Sequence, residues 1–159
     1  MKIKVVIDNI MKKFKKEIIN IHKQYGIASS YDSSEELIYS NLHNEYGDVF
    51  CIFSYERNLI SSNSIYARNI PANIISHLQS ILDNMNKNFE KGRLYIDRNT
   101  NCVAFSVDYE VSDLKLQEKD QDLFRSFCIQ FYDVFATYQK DIYEIISLNH
   151  DSIRSAGSC

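Results

Sequence analysis

The cysteines and histidines are the residues of this chain best suited to nucleophilic or metal chemistry. No two cysteines have Cys-x-x-Cys spacing, and no two histidines have His-x-x-x-His spacing. They are Cys51, Cys102, Cys128 and Cys159, and His22, His43, His77 and His150. Cys51 and Cys102 lie in strand-like runs and Cys128 lies on an apolar helix stripe, as is typical of buried, reduced thiols. We therefore predict no metal site and no Cys–His nucleophile pair.

Three carboxylates lie near a predicted hairpin. Asp97, Asp108 and Glu110 could act as acid and base if burial raised the pKa of one of them. Their surroundings instead predict a solvent-facing strand edge. Gly92 precedes Arg93 without a Gly-rich run or a following Lys-Ser/Thr pair, so it indicates a turn rather than a phosphate loop. The sequence thus offers no catalytic residue and no cofactor site, and we expect a protein that is not an enzyme.

Composition and charge limit the class of protein. The 159 residues carry a formal net charge of -3, and hydrophobic residues make up 45% of the chain. This composition supports one folded domain, predicted over residues 1–150, with a frayed tail over 151–159. No run approaches the roughly 20 apolar residues of a membrane-spanning helix, and no signal-peptide core is present. We expect a soluble cytoplasmic protein that does not bind nucleic acid.

Helical periodicity marks three segments. The spacing predicts helices over residues 4–25, 72–88 and 120–146, with asparagines fraying the end of the second. The first helix carries lysines on its polar face, at Lys12, Lys13, Lys15 and Lys16. These lysines indicate a solvated face, with binding to phosphate groups or an acidic membrane as the alternative.

Alternating residues mark five strands. They are predicted over residues 36–42, 49–55, 59–67, 93–97 and 102–111, with polar connectors over 27–35 and 112–119. Short turns make sequential strands antiparallel neighbours. The order α-βββ-α-ββ-α predicts an α+β domain with one mostly antiparallel five-stranded sheet packed against helices.

One stretch adds a family resemblance. The second helix is entered at Ile70-Pro71 and ends in an Asn-rich turn, followed by Gly92-Arg93-Leu94-Tyr95-Ile96-Asp97 and an alternating apolar strand. This pattern resembles the YbjN family of bacterial proteins, similar to sensory-transduction regulators, and the type III secretion chaperone-like fold. The resemblance implies a non-enzymatic, dimer-forming protein-binding module. Secretion chaperones of this fold hold a partly extended effector segment against apolar surface.

A surplus of aromatic and aliphatic residues suggests where a partner binds. Aromatic residues make up 13% of the chain, and some are hard to bury in one two-layer domain. The predicted partner-binding residues are Phe50, Ile52, Ile65, Tyr132, Tyr143 and Ile146. We expect a chaperone-like or regulatory homodimer that binds a segment of an effector or regulatory protein. The alternative is a small-molecule-binding regulator with a pocket between sheet and helices.

Overall fold

The structure is a computed structural model that describes the backbone of residues 2–66, 68–111 and 118–156. Side chains are described over residues 12–66, 68–111 and 121–149. Within these ranges the helices are α1 (Lys2–Gln24), α2 (Ile75–Met85) and α3 (Glu118–Ala156). The strands are β1 (Ala28–Asp32), β2 (Leu37–Asn44), β3 (Gly47–Glu56), β4 (Leu59–Tyr66), β5 (Arg93–Asp97) and β6 (Cys102–Glu110). The predicted α+β class is confirmed.

The strands form one antiparallel sheet in the order β1-β2-β3-β4-β6-β5. The predicted five-strand count is wrong, because the connector 27–35 contains the edge strand β1, which pairs from Ala28↔Asn41 to Asp32↔Leu37. An edge strand has one neighbour and can be solvated, so its sequence needs no strong apolar alternation. α2 carries the chain from β4 to the opposite edge, and β6 then enters between β4 and β5.

The helix bounds differ from the prediction at several ends. Short 3-10 turns, Ala72–Ile74 and Asn86–Asn88, flank α2 inside the predicted range. α3 begins at Glu118 and continues to Ala156, so the first part of the predicted tail is helical. Residues 112–117 of the second predicted connector, Ala67 of the third predicted strand and residues 157–159 lie outside the described residues.

The core lies between the helices and one face of the sheet, which we call the inner face. Phe53 of β3 contacts Phe127 and Phe131 of α3, with ring centroids 5.8 and 6.1 Å apart. Phe14 joins α1 to this cluster at 5.4 Å from Phe124. Because side chains alternate along a strand, the intervening residues point to the opposite face. The ring contacts described between helices and strands lie on the inner face, and Phe50 on the opposite face, called here the open face, is 44% exposed.

Gly92 forms the turn predicted for it. Its φ of +88° lies in the region that favours glycine, and a Cβ there would be 2.5 Å from Cζ of Phe105. The position therefore requires glycine for backbone conformation and for close approach to the core.

Candidate partner-binding face

An apolar row crosses the open face. Phe50 lies opposite Asn41 and Ile65, Ile65 opposite Ala104, and Ala104 opposite Tyr95. Directly paired residues of an antiparallel sheet share a face and bring their side chains into contact range. Tyr39 and Ile52 form a second pair in the adjacent row. Together, Phe50, Ile52, Ile65, Tyr39, Tyr95 and Ala104 make up what we call the apolar band.

Three predicted partner-binding residues belong to this band. Phe50 is 44% exposed, and Ile52 and Ile65 are half-buried by their neighbours. Phe50 is on the face away from the core, so its exposure does not result from incomplete packing of the core. Sequence periodicity showed which residues share a strand face, and the register adds that these three are neighbours across β3 and β4.

The other three predicted residues lie on the helical side of the sheet. Tyr132 is 38% exposed on α3, whereas Tyr143 is half-buried against Tyr46 and Arg68. Ile146 is fully buried, which corrects its assignment to a binding surface. Ile146 therefore completes the core near the C-terminal end of α3 instead of facing a partner.

The remaining exposed apolar residues of α3 do not form a patch. Leu123 and Leu148 are exposed, as is Tyr132. At about 100° per residue, Leu123 and Tyr132 point to opposite sides of the helix, and Leu148 is some 37 Å from Leu123. In the described part of α3, no contiguous apolar surface comparable to the band is present.

The two sides of the sheet differ in the size of their cavities. Between α1 and the sheet, a cavity of about 30 Å³ is lined by Phe14, Ile18, Tyr31 and Phe53, among others. It has room for about one or two water molecules. The open side instead has depressions of about 240 Å³ beside Tyr39 and Phe50, and about 500 Å³ beside Arg93 and Tyr95. Of these three cavities, the two on the outer surface of the sheet are larger than the one beneath α1.

The three described thiols are buried, as predicted. Cys51, Cys102 and Cys128 are free cysteines, while Cys159 lies outside the described residues. Desolvation raises the pKa of Cys51 to about 12, and burial also raises the pKa of Cys128. Both thiols therefore stay protonated at neutral pH and are not poised as nucleophiles.

Asp97 lies far from the other two carboxylates, Asp108 and Glu110, which are exposed neighbours on one face of β6. Asp97 lies opposite Cys102, and Asp108 lies six residues further along β6, which places it about 20 Å away. Asp108 instead accepts a hydrogen bond from the Ser61 hydroxyl at 2.6 Å. Over the residues with described side chains, no group of three or more His, Cys, Asp or Glu residues could hold a metal ion.

The lysines of α1 differ in their surroundings. Lys15 places its ammonium 3.1 Å from the centroid of the Tyr31 ring, which ties α1 to β1. Lys12, Lys13 and Lys16 remain exposed. None of the helices is long and apolar enough, over the residues described, to cross a membrane.

Two buried polar residues were not singled out from the sequence. His22 is fully buried, with Nε2 2.9 Å from the Cys128 carbonyl oxygen and Nδ1 2.9 Å from the Ser40 hydroxyl. Gln139 is also buried and bonds Asn44 and the Gly47 carbonyl, which fixes α3 to the β2–β3 turn. Each is a polar residue within an otherwise apolar helix stripe. This break in the apolar pattern is the signal by which the sequence could have identified it as a buried polar residue.

No protein family model matches the chain. The outer membrane usher protein SefC of Salmonella enteritidis is 26% identical over 149 residues, covering 84% of this chain. The chain spans only 16% of that relative.

Among solved structures, YbjN from E. coli superposes with a TM-score of 0.44 and 10% identity, over 85% of this chain and 89% of that one. A TM-score this low does not establish a common fold. Neither likeness assigns the chain to a family.

Proposed function

We propose that the chain is a non-enzymatic protein-interaction module that binds a segment of a partner protein on the open face of its sheet. The observation that carries this proposal is the apolar band, in which Phe50, Ile52 and Ile65 meet on the face opposite the core. Exposed, contiguous apolar surface on a soluble domain commonly marks an interaction site. Tyr39 and Tyr95 add aromatic bodies with polar ends, a composition favoured at interfaces.

The described chemistry supports a binding role over a reaction. The buried thiols are protonated, Asp97 is about 20 Å from Asp108, and Asp108 and Glu110 are both exposed, so neither set supplies an activated nucleophile or a buried acid–base pair. The alternative, a small-molecule regulator with a pocket between sheet and helices, would need a pocket of some 300–1,000 Å³. The cavity between α1 and the sheet is about 30 Å³, which favours the interaction module.

Peptide selection followed by variant binding tests the proposal. Peptides from a random display library would be selected on the intact chain, and their affinities measured by fluorescence polarisation. We expect Phe50→Ser and Ile65→Ser each to weaken binding by about fivefold to a hundredfold, the effect of truncating an apolar anchor. The matched control is Tyr132→Ser, which removes a similarly exposed aromatic from α3 on the other side of the sheet.

Circular dichroism and urea unfolding would confirm that each variant keeps its fold. Peptides that bind the Phe50→Ser and Ile65→Ser variants as tightly as the natural chain would overturn the proposal. Loss of binding confined to Tyr132→Ser would also overturn it, because that result places the site on α3.

A further inference from the structure

The apolar band is bordered by carboxylates on both sides. Pairing places the acidic residues Asp48 and Asp97 in the row next to Phe50 and Tyr95. Beyond Ile52, at the other end of the strands, lie four more open-face carboxylates. They are Asp32, Glu56, Asp108 and Glu110. We call these six residues the acidic rim.

Few cations of the strands balance the rim. Arg93 is on the open face opposite Ser106, and His43 bonds Asp48. The turns at the strand ends add both signs, namely Glu35, Glu36 and Glu45 with Arg57 and Arg98. Nε of Arg57 lies 3.7 Å from Oε1 of Glu56, so this rim carboxylate is paired with a cation, and the remaining carboxylates still outnumber the cations. The open face is therefore apolar at its centre and negative at its border, in contrast to the exposed lysines of α1 on the helical side.

Two carboxylates of the rim are held in their ionised form. The Ser34 hydroxyl and the amides of Ser34 and Glu35 donate to Asp32, lowering its pKa. The backbone N–H of Asn99 donates to Asp97 at 2.9 Å and lowers the pKa of that carboxyl. Asp32 and Asp97 thus keep their negative charge at a lower pH than an ordinary aspartate does.

We propose that the segment bound on the open face is cationic at both ends and apolar in the middle. This inference rests on the proposed function and names the chemistry of its partner. The two rows of the rim at Asp97 and Asp108 lie about 20 Å apart, the length of about six extended residues. Lysines or arginines separated by that distance would meet both rows while the residues between them cover the apolar band.

The rim also disfavours other occupants of this face. A nucleic acid would bring its phosphates against the carboxylates, which is unfavourable. A second copy stacked open face on open face would bring two acidic rims together, and like charges across an interface are costly. Charge complementarity therefore selects a basic polypeptide segment.

Two matched peptides test the inference. Both carry the same six-residue centre of alternating Val, Tyr and Thr, with two lysines at each end of one and two glutamates at each end of the other. Affinity for the full chain would be measured by fluorescence polarisation at low and moderate salt. We expect the lysine peptide to bind at least about tenfold more tightly at low salt, with the difference shrinking as salt screens the rim.

Variants that remove charge test whether the acidic rim causes the preference for the lysine peptide. We expect Asp97→Asn combined with Asp108→Asn to weaken binding of the lysine peptide by about threefold to tenfold. The control combines Asp122→Asn with Asp141→Asn, two exposed positions of α3 with the same change in net charge. We expect it to alter binding by less than about twofold.

Each outcome separates the inference from the proposed function. Equal binding of both peptides, weakened by Phe50→Ser, would overturn the cationic partner and leave the interaction module standing. Equal losses in the rim and control variants would also overturn it, because attraction to net charge alone explains them. If Phe50→Ser changes the affinity for neither peptide, the open face is not the site and both proposals fail. The same conclusion holds if neither peptide binds the natural chain.

Discussion

At the scale of single residues, His22 connects three elements of the core. Its Nε2 lies 2.9 Å from the Cys128 carbonyl oxygen, which can only accept, so Nε2 carries the proton of the neutral ring. Nδ1 then accepts from the Ser40 hydroxyl. The side chain thereby joins α1, β2 and α3, and desolvation lowers its pKa below the ordinary value of 6.5.

This arrangement predicts that stability falls as the solution becomes acidic. Between the lowered folded pKa and 6.5, the unfolded chain binds more protons than the folded chain. The contribution of neutral His22 is therefore complete above pH 6.5 and is lost as pH falls below it. We expect His22→Gln to lower the free energy of unfolding by about 1–3 kcal/mol at neutral pH. The difference in free energy of unfolding between the natural chain and His22→Gln, measured by urea unfolding, should become smaller towards pH 5.

An exposed histidine provides the control. His77 lies on the solvent side of α2, so His77→Gln should change stability by less than about 0.5 kcal/mol at either pH. NMR titration of the folded chain gives an independent measurement that does not depend on a variant. A His22 imidazole signal that titrates at or above pH 6.5 would contradict the prediction.

At the scale of elements, Asn86 covers the edge of the sheet at β5. Its amide nitrogen donates to the Leu94 carbonyl at 2.9 Å, and its oxygen accepts from the Leu94 N–H at 2.7 Å. Gln79 accepts from the Ile96 N–H in the same way. α2 and the 3-10 turn that follows it therefore supply the hydrogen bonds that a further strand would otherwise make along this edge. The predicted fraying of the Asn-rich turn is wrong at Asn86, whose side chain ties it to β5.

Removing this contact should destabilise the chain. Asn86→Ala leaves the N–H and carbonyl of the buried residue Leu94 unpaired, and we expect a loss of about 1–3 kcal/mol in urea unfolding. Asn84→Ala changes the same residue type two positions earlier, at an exposed site of α2, and should cost less than about 0.5 kcal/mol. Equal losses in the two variants would mean that the hydrogen bonds to Leu94 do not set the cost, because Ala is the better helix former and propensity would favour both substitutions.

The elements also show how far sequence periodicity predicts structure. Helix stripes and apolar alternation placed three helices and five strands, because burial of an apolar face dictates those patterns. β1 was missed because an edge strand can satisfy its backbone with one neighbour and few apolar side chains. The band could be predicted only in part. Periodicity marked Phe50, Ile52 and Ile65 as candidates, but the pairing of β6 between β4 and β5, which adds Ala104 and Tyr95, is a long-range contact without a local signal.

At the scale of the whole molecule, the sheet separates two different surfaces. The inner face is filled by aromatic residues of α1 and α3, and the open face presents the apolar band within its acidic rim. A layered domain of this kind can bind on its open face without disturbing the core, since Phe50 and Phe53 belong to the same strand but face opposite ways. This division predicts that the two surfaces would bind different partners.

The oligomeric state tests this division. Like-charged rims oppose stacking of two open faces, so the homodimer expected from the sequence would need the helical side, where Tyr132 is an exposed aromatic of α3. We expect light scattering at low salt to give the molar mass of a dimer for the natural chain and for Phe50→Ser, and that of a folded monomer for Tyr132→Glu. If Phe50→Ser dissociates the dimer, the contact lies on the open face. That result would contradict the argument that like-charged rims oppose stacking of two open faces. A monomer in all three would remove the homodimer and leave the open face as the binding surface of a monomeric module.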